Sequence, residues 1–263
     1  MTLWRPRLII VLVPAFLFIY ARWIEPNWIE VTEHRIPAKV DRPLKILQLS
    51  DVHTNGLATR ELKVLRIIKQ QKPDAIVISG DTAPDGGNWS GARAFLERLR
   101  APLGVFLIRG NWEHWNPDSA ELQMYRDAGI TFLNNDSRQI SRKVWIVGID
   151  DPFAGSPDLQ QAFLQVPHIP NDVFKIVLFH SPAYFDSIKQ HIDLGLSGHT
   201  HGGQVRLPFF RPFFLPDGSG DYLAGWYNKG SSRMYVSRGV GNSIAEFRFY
   251  CRPEISVFFL DPY

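Results

Sequence analysis

The sequence has few of the residues that would indicate a disulfide-stapled or a nucleic-acid-binding protein. Its 263 residues include one cysteine, Cys251, so an intrachain disulfide and a cysteine-rich metal site are both excluded. Lysine and arginine never form a run of five, and the net charge of +3 is only mildly basic, so we expect no nucleic-acid partner. There is no internal repeat and no low-complexity linker. Any metal must therefore be held by histidine, aspartate, glutamate or asparagine.

The hydrophobic content of 45% is enough for one large domain with a buried core. We predict two parts, an N-terminal membrane segment at residues 1–24 and one folded domain at residues 25–263. We expect the protein to be a monomer.

The N-terminal segment contains the fourteen-residue uncharged run LIIVLVPAFLFIYA at residues 8–21, flanked by Trp4 and Trp23. At about 1.5 Å per residue a helix over this run spans about 21 Å, so crossing the hydrocarbon core of about 30 Å requires snorkelling arginines and local thinning. A cleaved signal peptide is an alternative, but Ile19-Tyr20-Ala21 is a poor cleavage site, which favours an uncleaved anchor. The third interpretation of this run is an N-terminal helix buried in the folded domain. We predict a single-pass membrane helix in the bacterial inner membrane.

The membrane side of the folded domain is only weakly indicated. Arg5 and Arg7 outweigh Arg22, which by the positive-inside rule favours a cytoplasmic N-terminus and a catalytic domain on the far side.

From residue 44 onward, short β-rich runs alternate with amphipathic stretches, a pattern typical of an α/β or α+β layered domain. The predicted strands are Leu44–Leu49, Ala75–Ser79, Val105–Ile108, Val144–Ile149, Phe174–Phe179, Leu194–Ser197, Met234–Ser237, Ala245–Tyr250 and Ile255–Leu260. The predicted helices are Thr59–Gln71, Gly91–Arg100 and Ser119–Ala128.

Five of these strands end in residues of metal-ligand type, namely Asp51, His53, Asp81, Asn111, His180, His199 and His201. Residues i and i+2 of an extended segment face the same way, so Asp51 converges with His53, and His199 with His201. Glycine before Asp81, Asn111 and His199 allows a sharp turn at the strand end. Seven ligands are too many for one tetrahedral ion, but they are enough for two metal ions about 4 Å apart. The mixture of nitrogen and oxygen atoms suits Mn, Fe, Zn or Co.

The order D-x-H, G-D, G-N, H and G-H-T-H resembles the calcineurin-like metallophosphoesterase superfamily. GHTHGGQ, Arg-Gly-Val-Gly at 238–241 and Cys-Arg-Pro-Glu at 251–254 extend the resemblance to its bacterial membrane-associated phosphodiesterase branch. It covers about residues 24–260.

The resemblance implies a four-layer αββα sandwich that binds two divalent metal ions, with Mn²⁺ as the first expectation. One metal would be held by Asp51, His53, Asp81 and His201, and the other by Asp81, Asn111, His180 and His199. Asp81 would bridge the two. A hydroxide between the metals would attack phosphorus in line, with Asp81 and Asn111 as part of the catalytic centre.

One departure from the family pattern concerns the proton donor. The family continues G-N-H-D/E, whereas this chain has Gly110-Asn111-Trp112-Glu113-His114. Either His114 takes over the role of general acid, or no general acid is present there. Because a leaving phosphate monoester is a weak base that barely needs a proton, we expect a preference for pyrophosphate over alkyl phosphodiester bonds. Arg109, beside Asn111, is a candidate substrate contact.

Residues 206–216, RLPFFRPFFLP, combine three prolines with four phenylalanines. The prolines forbid a central strand, so we predict a loop. It either packs over the sandwich or forms a lip that contacts lipid, with Arg206 and Arg211 facing substrate phosphates.

The sequence therefore predicts a membrane-anchored phosphoesterase that acts on a phosphorylated lipid or a lipid-linked nucleotide. UDP-2,3-diacylglucosamine is one substrate that the resemblance makes plausible, and it requires a cytoplasmic active site, against the topology indicated above. The first alternative is a general phosphodiesterase or phospholipid-headgroup hydrolase outside the cytoplasm. The second is a scaffold that uses the fold without turnover.

Overall fold

The structure, a computed structural model, describes residues 4–83, 89–166, 173–188 and 192–263. Its α-helices are α1 (Trp4–Ile19), α2 (Thr59–Gln71), α3 (Trp89–Leu96), α4 (Asn111–Trp115), α5 (Glu121–Asp127) and α6 (Leu159–Ala162). Its strands are β1 (Glu30–Ala38), β2 (Leu44–Leu49), β3 (Ala75–Ser79), β4 (Val105–Ile108), β5 (Ile130–Phe132), β6 (Asp136–Ser141), β7 (Val144–Gly148), β8 (Phe174–Leu178), β9 (Leu194–Ser197), β10 (Gly225–Lys229), β11 (Ser232–Val236) and β12 (Glu254–Pro262).

The strands form two six-stranded sheets. The first sheet has the order β1-β12-β2-β3-β4-β5 and the second has the order β10-β11-β9-β8-β7-β6. The strands β2 to β5 are mutually parallel, as are β7, β8, β9 and β11. Parallel neighbours end at the same edge, so each sheet gathers the loops that follow its strands at one edge.

The core consists of one apolar layer between the sheets and one on the outside of each. Ile46, Phe106 and Ile176 belong to the layer between the sheets. On the outer face of the first sheet, Val64 of α2 and Phe95 of α3 pack in one cluster with residues of β2 and β3. Strands β3 and β8 are buried at all five positions because each lies between two apolar layers, which explains why their sequences are apolar except for Ser79 and Lys175.

The expected mixed α/β architecture with two sheets is confirmed. Helices α2, α3 and α5 cover the first sheet, whereas the described cover of the second consists of α6 and the short 3-10 helix Pro182–Asp186. Strands β2, β3, β4 and β9 and helix α2 have the predicted bounds. The prediction missed β1, β5, β6 and β10, which are the edge strands of the two sheets. Strands β1, β6 and β10 have more polar sequences, and β5 has only three residues.

The strand predicted at Ala245–Tyr250 is wrong. Only Phe249 makes a ladder contact, an isolated bridge with Val205. Ile244 and Tyr250 have φ of 62° and 53°, which breaks an extended conformation at both ends. Arg248 is fully buried and binds backbone carbonyls of neighbouring loops, a role that the alternating apolar pattern did not reveal.

The N-terminal segment is helical from Trp4 to Ile19 and continues through a π-helical turn, Tyr20–Ile24. Every residue from 12 to 19 is exposed, so the interpretation as a helix buried in this fold is wrong for that part. Within the described ranges, no helix combines the length and apolar character needed to cross a membrane. The predicted membrane-spanning helix is therefore not supported, and residues 1–3 of the predicted segment lie outside the described residues.

Candidate metal centre

The seven residues predicted as metal ligands lie together at the carboxyl ends of five strands. Asp51 and His53 follow β2, Asp81 follows β3, Asn111 follows β4, His180 follows β8, and His199 and His201 follow β9. All seven are at most 6% exposed. The two sheets therefore contribute to one buried polar cluster, at the edge where their parallel strands end.

Three of these residues form a first group. Ligand-type atoms of Asp51, His53 and His201 all lie within 4.8 Å of one another. The Nε2 atoms of His53 and His201 are 3.3 Å apart, and Nε2 of His201 is 3.4 Å from Oδ1 of Asp51. Two ring nitrogens and a carboxylate that converge in this way can hold one divalent cation.

Asp81, His180 and His199 form a second group with the same spread of ligand atoms. Oδ2 of Asp81 lies 3.0 Å from Nε2 of His180 and 3.7 Å from Nε2 of His53, so this carboxylate stands between the two groups. Oδ1 of Asn111 lies 2.9 Å from Nδ1 of His199 and adds an amide oxygen to the second group. The division into two groups matches the two ligand sets that the family resemblance implies.

Backbone carbonyls orient three of the histidines. Nδ1 of His53 bonds to the Ala83 carbonyl at 3.1 Å, and Nδ1 of His180 bonds to the Ser79 carbonyl at 2.7 Å. Nε2 of His199 bonds to the Asp217 carbonyl at 2.6 Å. A carbonyl only accepts, so the bonded nitrogen carries the proton and the other nitrogen turns its lone pair into the cluster, as in metal-ligating histidines.

Burial keeps most of these rings neutral. Burial, and then the positive charge of His180, lowers the pKa of His53 to about 3 and that of His199 to about 4. Burial and the neighbouring His53 also lower the pKa of His201. For His180 burial acts in the same direction, but the carboxylates of Asp81 and Asp51 outweigh it and raise the pKa. Neutral imidazole is the form that binds a metal.

The backbone at the cluster is strained. Asp51, His53, Asp81, His199 and His201 all have positive φ, between 43° and 72°. Residues other than glycine rarely adopt this region, and such strain concentrates at functional sites. The glycine before Asn111 is required sterically, because a Cβ on Gly110 would lie 2.3 Å from Oδ1 of Asp81.

Unpaired buried atoms support a cation at this place. Oδ2 of Asp51 and Nδ1 of His201 have no hydrogen-bond partner among the described residues. A buried polar atom without a partner costs about 1–3 kcal/mol. The donor set of imidazole, carboxylate and amide oxygen also fits two divalent metals of the Mn, Fe, Zn or Co type.

Glu113 is a residue of the site to which the sequence reasoning gave no role. Its buried carboxylate accepts hydrogen bonds from the backbone N–H groups of Gly110, Asp81, Thr82 and Ala83. Burial and the charge of Asp81 raise its pKa to about 7, and the N–H donors oppose that rise. Glu113 ties the loop after β3 to the start of α4. The glutamate after G-N-x in the quoted motif could have indicated it.

Trp112 takes the position at which the family pattern has a histidine. Its backbone N–H donates to Oδ1 of Asp81, and its ring meets the edge of the His53 ring with centroids 5.7 Å apart. Trp115 and Phe153 continue this contact as an aromatic wall that reaches His199. Trp115 is 54% exposed, so part of this wall faces solvent at the edge of the cluster.

His114 is held by Asp150, with Nε2 2.8 Å from Oδ1. This hydrogen bond raises the pKa of His114 although burial opposes it. A turn follows Asp151 at residues 152–154, and Asp151 accepts a hydrogen bond from Ser181 next to His180. The structure therefore gives His114 a carboxylate partner, and its role as proton donor stays a prediction.

The three arginines predicted as substrate contacts differ in their surroundings. Arg109 forms a two-pronged ion pair with Glu121 of α5, which accounts for its guanidinium without a substrate. Arg206 and Arg211 lie in the loop after His201, and neither forms an ion pair with another part of the chain that the structure describes. For all three residues the substrate contact stays a prediction.

Comparison with known proteins agrees with this geometry. The sequence profile of the family described as calcineurin-like phosphoesterase matches residues 44–203. The chain is 36% identical to the uncharacterized metallophosphoesterase YkuE of Bacillus subtilis, over 92% of this chain and 88% of that protein. It is 32% identical to phosphodiesterase YaeI of Escherichia coli, over 91% of each. It is 27% identical to UDP-2,3-diacylglucosamine pyrophosphatase LpxG of Chlamydia muridarum, over 94% of each.

Proposed function

The chain belongs to the calcineurin-like phosphoesterase family, and from this premise we propose that it is a two-metal hydrolase for a phosphodiester or pyrophosphate bond in a lipid-linked substrate. Membership of the family makes it a metal-dependent phosphoesterase. The bond, the lipid and the metal are the parts that we propose.

The observation that carries the proposal is the pair of buried ligand groups with Asp81 between them. We assign Asp51, His53, Asp81 and His201 to one metal, and Asp81, Asn111, His180 and His199 to the other. Two divalent cations bound there, with Mn²⁺ as the first candidate, would neutralise charge on phosphorus-bound oxygens and activate a water. The protein's own contribution is to hold these side chains in fixed orientations through backbone carbonyls and through the Glu113 carboxylate.

The residues around the cluster favour a leaving group that needs little protonation. Trp112 offers no acid at the position of the family histidine. The nearest imidazole along the chain is that of His114, which is hydrogen-bonded to Asp150. A phosphate monoester leaves as a weak base, whereas an alkoxide requires a proton. We therefore propose that a pyrophosphate bond is cleaved more readily than an unactivated alkyl diester, with His114 as the candidate proton donor.

Two features support a lipid-linked substrate. The relative LpxG is named for a pyrophosphatase activity on UDP-2,3-diacylglucosamine, and it covers nearly all of this chain. The loop after His201 exposes four phenylalanines beside two arginines. We propose that the enzyme acts at a bacterial cell membrane. The side of that membrane is left open, because the arginine count favours the far side while a UDP-linked substrate requires the cytoplasm.

A second candidate function is that of a general phosphodiesterase for substrates outside the cytoplasm. The name and the higher identity of the relative YaeI favour a phosphodiesterase activity, and the arginine count favours the location. A scaffold without turnover is opposed by the complete set of seven ligand-type residues.

The experiment that tests the proposal uses detergent-solubilised full-length protein with Mn²⁺. Release of UMP from UDP-2,3-diacylglucosamine is followed beside hydrolysis of bis-4-nitrophenyl phosphate, with the Asp81→Asn variant as blank. UMP release that the blank lacks supports the lipid-linked nucleotide. Cleavage of the nitrophenyl diester alone supports the general phosphodiesterase, and absence of both activities refutes the two-metal hydrolase.

A further inference from the structure

We propose that residues 12–19 of α1, residues 244–250 and residues 205–216 form one apolar surface that binds an anionic phospholipid membrane and places the metal centre beside the lipid headgroups. The apolar surface consists of these three segments. The proposal deepens the proposed function by giving its substrate an interfacial location. Binding to lipid is nevertheless measured without turnover.

The exposed part of α1 is apolar around its whole circumference. Residues 12–19 are all exposed and all uncharged, and Leu12, Phe16 and Phe18 are each more than half exposed. Eight successive helical residues cover two full turns. A helix that is apolar all round requires an apolar environment on every side, whereas residues 12–19 remain exposed in the part of the fold that the structure describes.

The loop after the metal ligands is the second part of the apolar surface. Phe209, Phe210, Phe213 and Phe214 are 105%, 68%, 78% and 64% exposed. Aromatic clusters of this kind on monomeric proteins mark sites of interaction with proteins or membranes. The sequence left a packed loop and a lipid-facing lip as alternatives, and these exposures favour the lip.

The segment 244–250 joins the helix to the loop. Phe18 packs edge to face on Phe247 at 5.3 Å, and the N–H of Arg248 donates to the Ala21 carbonyl. Phe249 pairs with Val205 at the start of the loop. Ile244, which is 77% exposed, and Tyr250, which is 62% exposed, continue the apolar surface between the two.

The apolar surface is also tied to the metal-ligand loop. The buried Glu25 carboxylate, which follows the π-helical turn Tyr20–Ile24, accepts hydrogen bonds from the N–H groups of Tyr250 and Cys251. Sγ of Cys251 donates to the carbonyl of His201 at 3.3 Å. A Cβ on Gly203, two residues after His201, would lie 2.4 Å from Cγ of Pro212 in the aromatic loop. The centre that cleaves phosphorus–oxygen bonds and the apolar surface are thus adjacent.

Shape and charge favour a lipid membrane over a protein partner. A protein groove covers one face of a helix and would leave the other exposed faces of α1 in water. A bilayer surrounds them all. Arg206 and Arg211 have no ion pair within the described ranges and flank the phenylalanines, so they can meet anionic headgroups. Trp23, in the π-helical turn after α1, and Tyr250 combine an apolar ring with a polar group, as residues at membrane interfaces do.

The test uses full-length protein carrying one introduced cysteine with a polarity-sensitive fluorophore. Cys251 is 2% exposed, so a label goes to Phe16→Cys, Phe210→Cys or Phe213→Cys without removing the native thiol. Leu122→Cys on α5, also at an exposed apolar position, is the matched control. The probes are phosphatidylcholine vesicles with and without phosphatidylglycerol, and a second set that contains a nitroxide-labelled lipid as quencher.

With phosphatidylglycerol vesicles we expect the emission at positions 16, 210 and 213 to move to the blue and to be quenched by the nitroxide lipid. The label at position 122 should not respond. Binding should weaken without phosphatidylglycerol and at high salt, because the arginines act through charge.

Three results would overturn the proposal. The first is that the protein does not bind vesicles. The second is that it binds but the labels at positions 210 and 213 remain in water. The third is that the emission shifts to the blue without vesicles because the protein forms a dimer. Manganese-dependent hydrolysis of bis-4-nitrophenyl phosphate is measured on the same protein. Insertion without hydrolysis then refutes only the proposed function, and hydrolysis without insertion refutes only the apolar surface.

Discussion

Replacing Arg248 by methionine should lower the free energy of unfolding by about 3–5 kcal/mol and weaken metal binding at the same time. Arg248 is 0% exposed, and its guanidinium donates to the carbonyls of Arg238, Gly239, Gly241 and Cys251. Burial lowers its pKa to about 10, so the group is still charged at neutral pH. Methionine fills a similar volume but donates no hydrogen bond.

The magnitude follows from the acceptors that would be left behind. Gly239 keeps a second donor, the N–H of Glu254. The carbonyls of Arg238, Gly241 and Cys251 have no other donor in the part of the chain that the structure describes. At about 1–3 kcal/mol for each buried unsatisfied group, three carbonyls cost at least about 3 kcal/mol.

The metal centre should respond because the same loop supports Asp51. The N–H of Val240 donates to the Ser50 carbonyl, and that of Gly241 donates to the Asp51 carbonyl. Loss of the Arg248 contacts frees this loop and, with it, the end of β2. Metal affinity should fall by about tenfold to a hundredfold, the range found when outer partners of metal ligands are removed.

The assay is urea unfolding together with calorimetric titration of Mn²⁺. Arg252→Met is the matched control, since Arg252 is partly exposed and stacks on Trp28, and it should lose less than about 1 kcal/mol. A loss below about 1 kcal/mol for Arg248→Met, or equal losses in both variants, would refute the reasoning.

Asp81→Asn should reduce manganese-dependent diester hydrolysis by at least about a hundredfold, because Asp81 stands between both ligand groups, whereas Asp261→Asn on the surface should have no effect. Comparable rates in the two variants would exclude Asp81 as a shared ligand. Trp112→His should speed hydrolysis of an alkyl diester by about tenfold to a hundredfold and change bis-4-nitrophenyl phosphate hydrolysis little, since only the alkoxide needs a proton. An equal gain on both substrates would contradict the proton-donor argument. Asp150→Asn should lower the pKa of His114 in an NMR titration, because the hydrogen bond to Asp150 raises it. The raised pKa means that the pair stabilises the folded protein below about pH 6.5 and that this contribution is lost as pH rises through the folded pKa, so an unchanged His114 titration in the variant would rule the pair out.

Much of the fold could be predicted because the apolar runs of the buried strands are bounded by glycine and polar residues. Strands β3 and β8, buried on both faces, have sequences that are apolar except for Ser79 and Lys175, and such sequences indicate a layered sheet. Strands β1 and β10 were missed because edge strands need no continuous apolar pattern. Ala245–Tyr250 was mistaken for a strand because alternation does not show that Arg248 faces inward and binds carbonyls.

The seven ligand-type residues could likewise be predicted, since each follows a strand and parallel strands end at one edge. The sequence could not show that His114 forms a hydrogen bond with Asp150 or that Arg109 forms an ion pair with Glu121. Each of these contacts joins residues twelve or more positions apart, and the packing of separate elements brings them together.

The sequence by itself determined which chemistry is possible here. The absence of cysteine ligands, together with Asp, His and Asn at successive strand ends, already required a nitrogen and oxygen metal set. Only the tertiary structure decided how that set divides into two groups, with Asp81 between them and backbone carbonyls orienting the histidines. The tertiary structure also decided that α1, residues 244–250 and the aromatic loop meet beside the centre, because these segments are far apart in the chain and only folding makes them neighbours.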